Sequence, residues 1–142
     1  MISRKTLVAS FVAVLLAVVE AQAEPYRNWS DHVEKANRGV KICASAVLDA
    51  IGGKTEAEWK KYLPEATRTC AVMKANFNTT MLTVRLNVNG IDSALESYHS
   101  FGLATFDALG PQPGESPLEY HVRSLKLNLE LVRAHYALEG GR

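Results

Sequence analysis

Residues 76–90, NFNTTMLTVRLNVNG, decide the fold, because two periodicities run through the same letters. Leu82, Val84, Leu86 and Val88 alternate with Thr83, Arg85, Asn87 and Asn89, which is a period-two strand ending at an Asn-Gly turn. Cys70, Met73, Phe77, Met81, Val84 and Val88 instead recur at spacings of three and four, one face of a helix. The Thr, Asn and Val content makes this a poor intrinsic helix former. A strand, however, needs a partner for its backbone groups. No other run in the chain alternates in this way, so the helix is preferred, with a strand at 82–88 as its rival.

The segments on either side are helical in pattern. Upstream, Trp29, Val33, Ala36, Val40, Cys43, Val47 and Ile51 form a single row that predicts a helix from about Asn28 to Ile51. Asn28 or Ser30 is available as its cap, and Gly52-Gly53 ends it. Thr55 to Glu58 is a capping box, in which hydroxyl and carboxylate each satisfy a free backbone N–H. Pro64 lacks an N–H and crowds the preceding turn, which predicts a short helix to about Tyr62 and a restart at Pro64.

Downstream, Ser93 to Glu96 is a second capping box. Leu95, Tyr98, Phe101 or Gly102, Phe106 and Leu109 make the stripe behind it. The run from Gly110 to Gly114 contains Pro111 and Pro113 and ends that helix. Ser116 to Glu119 is a third box, with Pro117 at the first helical position. Leu118, Val122, Leu125, Leu129, Val132 and Tyr136 then step by four and three, and Leu127, Leu131, Ala134 and Leu138 form a second row. Two rows imply a helix buried on two sides. Four amphipathic helices with short connections predict an all-α, antiparallel four-helix bundle.

The first 23 residues carry an address. Arg4 and Lys5 precede 14 uncharged residues from Thr6 to Val19, and Ala21-Gln22-Ala23 places small residues where a signal peptidase reads. The apolar run is shorter than the roughly 20 residues of a spanning helix. Residues 1–23 are therefore read as a cleaved signal peptide, 24–142 as a single helical domain, and the location as periplasmic. No stable membrane insertion of the mature chain is expected. The leader holds two of the 16 basic residues and one of the 15 acids, leaving 14 of each sign. A neutral chain is a poor nucleic-acid binder, since affinity for phosphates comes from a cationic excess.

Cys43 and Cys70 are the only cysteines. An even count in an exported chain, on the apolar faces of consecutive helices, predicts a structural disulfide. Their wide spacing argues against a redox pair, which is usually a C-x-x-C. Glu96 and His99 form one E-x-x-H, the spacing that aims a carboxylate and an imidazole at a common metal. A di-metal bundle needs a second such motif, and the chain has none. Met73, Met81, His121 and His135 are candidate axial ligands for a b-type haem between helices. No cofactor is assigned, because methionines at helical spacing ordinarily fill a core.

No nucleophile elbow, zinc-protease motif or phosphate loop occurs, so catalysis is not expected. The function expected is non-enzymatic binding of another protein, with the haem- or metal-binding bundle as the alternative. Residues 92–119 hold five acids and no Lys or Arg, opposite the acid-free stretch 66–91. Asp107 and Glu115 flank the proline-stiffened loop and are the acids best placed to meet a basic partner. Mutual pairing of two neighbouring helices of opposite sign is the preferred account of the same charges.

Overall fold

The structure is a computed structural model that describes residues 29–88 and 92–140. The expected leader, Asn28 and Gly90 lie outside the described residues. The elements are α1 (29–37), α2 (Gly39–Ile51), α3 (Glu56–Asn87), α4 (Ser93–Asp107) and α5 (Pro117–Gly140). The fold is all-α, with no strand among the described residues. Helix α1 runs into α2 with an interruption at Arg38, whose dihedrals stay right-handed helical, so together they form one arm of the bundle. Ser30 lies inside α1 and not at its cap; its hydroxyl donates to Glu139 at the far end of α5.

The disputed segment is helix. Phe77, Met81 and Val84 are buried on one side of α3, with Val88 just past its end, while Leu82 and Leu86 face solvent. Burial of the three-and-four row outweighs the weak local propensity, because most helical stability in proteins comes from packing an apolar face. Pro64 does not divide α3, contrary to the sequence expectation. A proline frees the carbonyl four residues earlier, here that of Lys60. Lys60, Lys61 and Pro64 are all exposed, so water can satisfy that carbonyl and the helix continues.

The other ends follow their capping residues, with one shift. Glu58 accepts the Thr55 N–H at the start of α3. At α5 the box is reciprocal: the Ser116 N–H donates to Glu119 Oε2 at 2.9 Å and the Glu119 N–H to Ser116 Oγ at 3.1 Å. At α4 the cap is Asp92, whose carboxylate accepts the Leu95 N–H, and Ser93 is the first helical residue.

Helix α2 packs on α3 and α5, α4 packs on the same two, and α2 meets α4 only slightly. The helices therefore form a ring in chain order that closes α5 against α2. Named contacts give the directions. Gly39 lies against Met73 and Cys43 is bonded to Cys70; Lys74 pairs with Asp107; Leu109 meets Tyr120. Along each pair the contacts step in opposite directions, Gly39–Met73 then Cys43–Cys70, Lys74–Asp107 then Arg85–His99, and Tyr98–His135 then Leu109–Tyr120, so neighbours run antiparallel. The disulfide spans α2 and α3 with Cα atoms 4.6 Å apart, and no cysteine is free among the described residues. No described helix is long and apolar enough to cross a membrane.

The main core gathers Val40, Cys43, Phe77, Met81, Tyr98, Phe106 and Leu131. Phe77 is its hub, with ring centroids 5.6 Å from Phe106, 6.0 Å from Tyr98 and 6.1 Å from His99. Gly102, not Phe101, faces this hub. A smaller core at the other end contains Val47, Ile51, Trp59, Ala66 and Tyr120.

Candidate functional site

The residues singled out by sequence fall in three places, and only one of those places is open for business with another molecule. The first is the acidic stretch. Asp107 pairs with Lys74 of α3 at 2.6 Å, although its side chain remains largely exposed. Glu115 is nearly buried and takes a bidentate pair from Arg123 at 2.7 and 2.9 Å. Arg123 also donates to the Ala108 and Gly110 carbonyls, and Glu115 accepts the Gln112 N–H. Glu115 and Arg123 thus clamp the proline loop. The geometry gives Glu115 a structural partner and leaves little of it to greet a foreign base.

Hydrogen bonds from Arg123 hold the Glu115 carboxyl below its ordinary range. A carboxyl lowered in the folded state contributes stability that is complete above the ordinary carboxylate range and lost as pH falls through the lowered value. Arg123→Ala should therefore destabilise the fold by about 2 kcal/mol at neutral pH, since it strands the nearly buried Glu115 carboxylate. Thermal melts between pH 2 and 6 should also lose part of their acid limb in this variant. An unchanged acid limb would mean that Glu115 is not the titrating group.

The second place holds the metal and haem candidates. His99 is buried, with Nδ1 3.2 Å from the Arg85 guanidinium and Nε2 2.7 Å from Asn78 Oδ1. Guanidinium only donates, so Nδ1 accepts and Nε2 carries the proton. Burial, helped by the Arg85 charge, lowers the His99 pKa and keeps this neutral form. Both ring nitrogens are thus committed to protein groups, and Glu96 one turn earlier is exposed. Met81 is packed in the core, and Met73 lies against Gly39 at its edge.

His121 is exposed, beside a groove between α2 and α5. His135 is buried between the rings of Tyr98 and Tyr136, and its Nε2 lies 3.4 Å from Glu139 Oε1 without hydrogen-bond alignment. No group of three or more His, Cys, Asp or Glu among the described residues is placed to hold a metal ion.

The third place is the outer face of α5, where the structure buries one row and not both, contrary to the two-sided burial expected from the sequence. The second row does the packing: Leu131 and Leu138 are buried, and Leu127 and Ala134 are half-buried against the core. Tyr120 and Ser124 are buried on the same side, and the Tyr120 hydroxyl donates to the Leu109 carbonyl at 2.7 Å. Burial pushes that phenol up to about 12, so it remains a neutral donor. The longer row faces out. Leu118 is 72% exposed and Tyr136 66%, with Val122, Leu125 and Leu129 near half and Val132 partly covered.

No family model matches the chain, and no curated protein or solved structure matches it.

The outer face of α5 is thus the longest apolar surface the described fold leaves uncovered. A shorter one exists on α3, where Leu82 and Leu86 border a groove with Val88 and Leu95. Two adjacent leucines are ordinary on a protein surface. A six-residue row at regular spacing is not. Its heptad pattern was legible in the sequence, but its exposure was not, because either row could have faced the core.

Proposed function

We propose that the protein is an exported, periplasmic helical module that works without catalysis, by docking the outer face of α5 against a protein partner. The observation that carries this reading is the exposed row Leu118, Val122, Leu125, Leu129, Val132 and Tyr136. Large contiguous apolar surface on a folded domain marks an interaction site, and spacing by three and four is how one helix receives another. The leader-like residues 1–23 and the Cys43–Cys70 bridge support export, since structural disulfides belong to oxidising compartments.

The test uses cells producing the full chain with a photo-crosslinking amino acid at Leu125, Leu129 or, as a control, Arg68 on α3. Illumination should give covalent protein adducts from the two α5 positions and none from Arg68. The recovered protein should begin at Glu24. No adduct at either α5 position would end the docking reading, and an unprocessed cytosolic chain would end the export reading.

A further inference from the structure

The exposed row of α5 has the geometry of a seam that a second copy of the same helix can fill. Its steps of four, three, four, three and four keep it on one side of the helix for 19 residues, about 28 Å at 1.5 Å per residue. The bundle-facing residues Tyr120, Leu127 and Leu131 lie on the opposite side. α5 is therefore a helix with two apolar seams, and the fold uses one of them.

The residues beside the seam say what the partner is. In heptad terms Leu118, Leu125 and Val132 take d positions and Val122, Leu129 and Tyr136 take a positions. One flank then carries Glu119, Lys126 and Arg133; the other carries exposed His121 and half-buried Asn128, with His135 at the third position turned into the bundle. Two copies running antiparallel bring like flanks together. Glu119 of each copy then lies opposite Arg133 of the other, on both sides of the two-fold axis. Parallel copies would face the charged flank with the His/Asn flank, where no carboxylate answers Arg133.

The seam also stays apolar at every layer when reversed about its own midpoint. Reversed on itself, it layers Leu118 with Tyr136, Val122 with Val132 and Leu125 with Leu129. Self-complementarity of this kind is what a two-fold interface requires. Among the described residues Lys126 and Arg133 join no ion pair within their own chain. On the His/Asn side the seam borders a groove of about 330 Å³ lined by Ala44 and Leu48 of α2, which leaves room for the neighbouring helix.

Resting on the docking reading of α5 above, we infer that the partner is a second copy of this chain, joined as an antiparallel α5–α5 dimer. Lys126 meets its own counterpart at the two-fold axis, a like-charge contact that limits the affinity.

Sedimentation equilibrium of the mature, disulfide-bonded protein should give twice the chain mass. L125D/L129D should weaken the dimer at least 100-fold, as loss of central apolar anchors does, with an unchanged melt for the monomer because both sites are exposed. R133E should weaken it about tenfold by placing like charges opposite each other twice, and that penalty should shrink in an E119Q background, which keeps an acceptor for the capping Ser116 N–H. K126Q should tighten it. A K126C variant should crosslink to itself with a short bis-maleimide, which a parallel pair would not allow.

A dimer insensitive to L125D/L129D, or charge changes that act independently at 119 and 133, would overturn the antiparallel pairing. A protein that stays monomeric at several hundred micromolar overturns the second copy. If the Leu125 crosslinker then still yields adducts of a different mass, the docking reading survives without it; if it yields none, both fall.

Discussion

Phe77→Ala should destabilise the protein by about 4 kcal/mol, within the range for emptying a buried aromatic site. Phe77 has no exposed surface and its ring touches those of Tyr98, His99 and Phe106. All three partners lie on α4, so the packing between α3 and α4 is lost at its centre, and the two helices cannot collapse into the gap without breaking their remaining contacts. Chemical denaturation should show this as a lower midpoint with little change in slope.

The same site is sensitive from the other side. A Cβ at Gly102 would lie 2.0 Å from Phe77 Cζ and 2.3 Å from Cε1. The ring is wedged and cannot turn away, so Gly102→Ala should cost about 2 to 3 kcal/mol by overpacking. This is despite alanine's better helix propensity, worth about 1 kcal/mol in its favour. Combining Gly102→Ala with Phe77→Leu should recover part of the loss, because the shorter side chain vacates the clash. A neutral Gly102→Ala would show that Phe77 is not held where the packing places it.

Removing the bridge should have an effect of similar size by a different route. Cys43→Ala/Cys70→Ala opens a loop with a sequence separation of 27 residues, and the chain-entropy relation puts the loss at about 3 to 4 kcal/mol. For a domain near this size, that is a fall in Tm of roughly 10 to 20 °C. The cause lies mainly in the unfolded chain, which gains freedom once the link between α2 and α3 is gone. The denaturant slope should rise accordingly, since a more open unfolded state exposes more surface. Thiol titration of the unfolded, unreduced protein should find no free sulfhydryl, and two titratable thiols would remove the bridge from the account.

Much of this fold was legible because its signals are local. The reciprocal bond between Ser116 and Glu119 and the stop at Gly52-Gly53 depend on residues within a turn of one another. The cysteine pair was legible from the even count and the export expected of the chain. Pro64 misled because its cost depends on whether the freed Lys60 carbonyl meets water, which is a matter of the helix's orientation in the bundle. Ser93 misled because Asp92, one residue earlier, offers an equally good cap.

The candidate site was legible in pattern and illegible in role. The pairing of Glu115 with Arg123 and of Asp107 with Lys74 joins residues eight and 33 positions apart. The opposite signs of 66–91 and 92–119 suggest pairing of the kind Lys74 makes with Asp107, but Arg123 lies outside both stretches and its hold on Glu115 has no such signal. His99 likewise carries a metal-like spacing to Glu96, yet its neighbours in space are Asn78 and Arg85 from α3.

By itself the sequence determined that most of the chain is helical, where capping residues start and stop its helices (the break it placed at Pro64 apart), and that α5 carries two apolar rows. Periodicity and capping are properties of short stretches, so they survive without knowledge of the rest. Only the tertiary structure decided that 76–87 is helix, because a buried row outweighs propensity only when another helix covers it. The same holds for which row of α5 turns inward. Both rows are apolar enough to pack, and the choice falls to the partners that Tyr120, Leu127 and Leu131 find on the other helices, which leaves Leu118 to Tyr136 facing out.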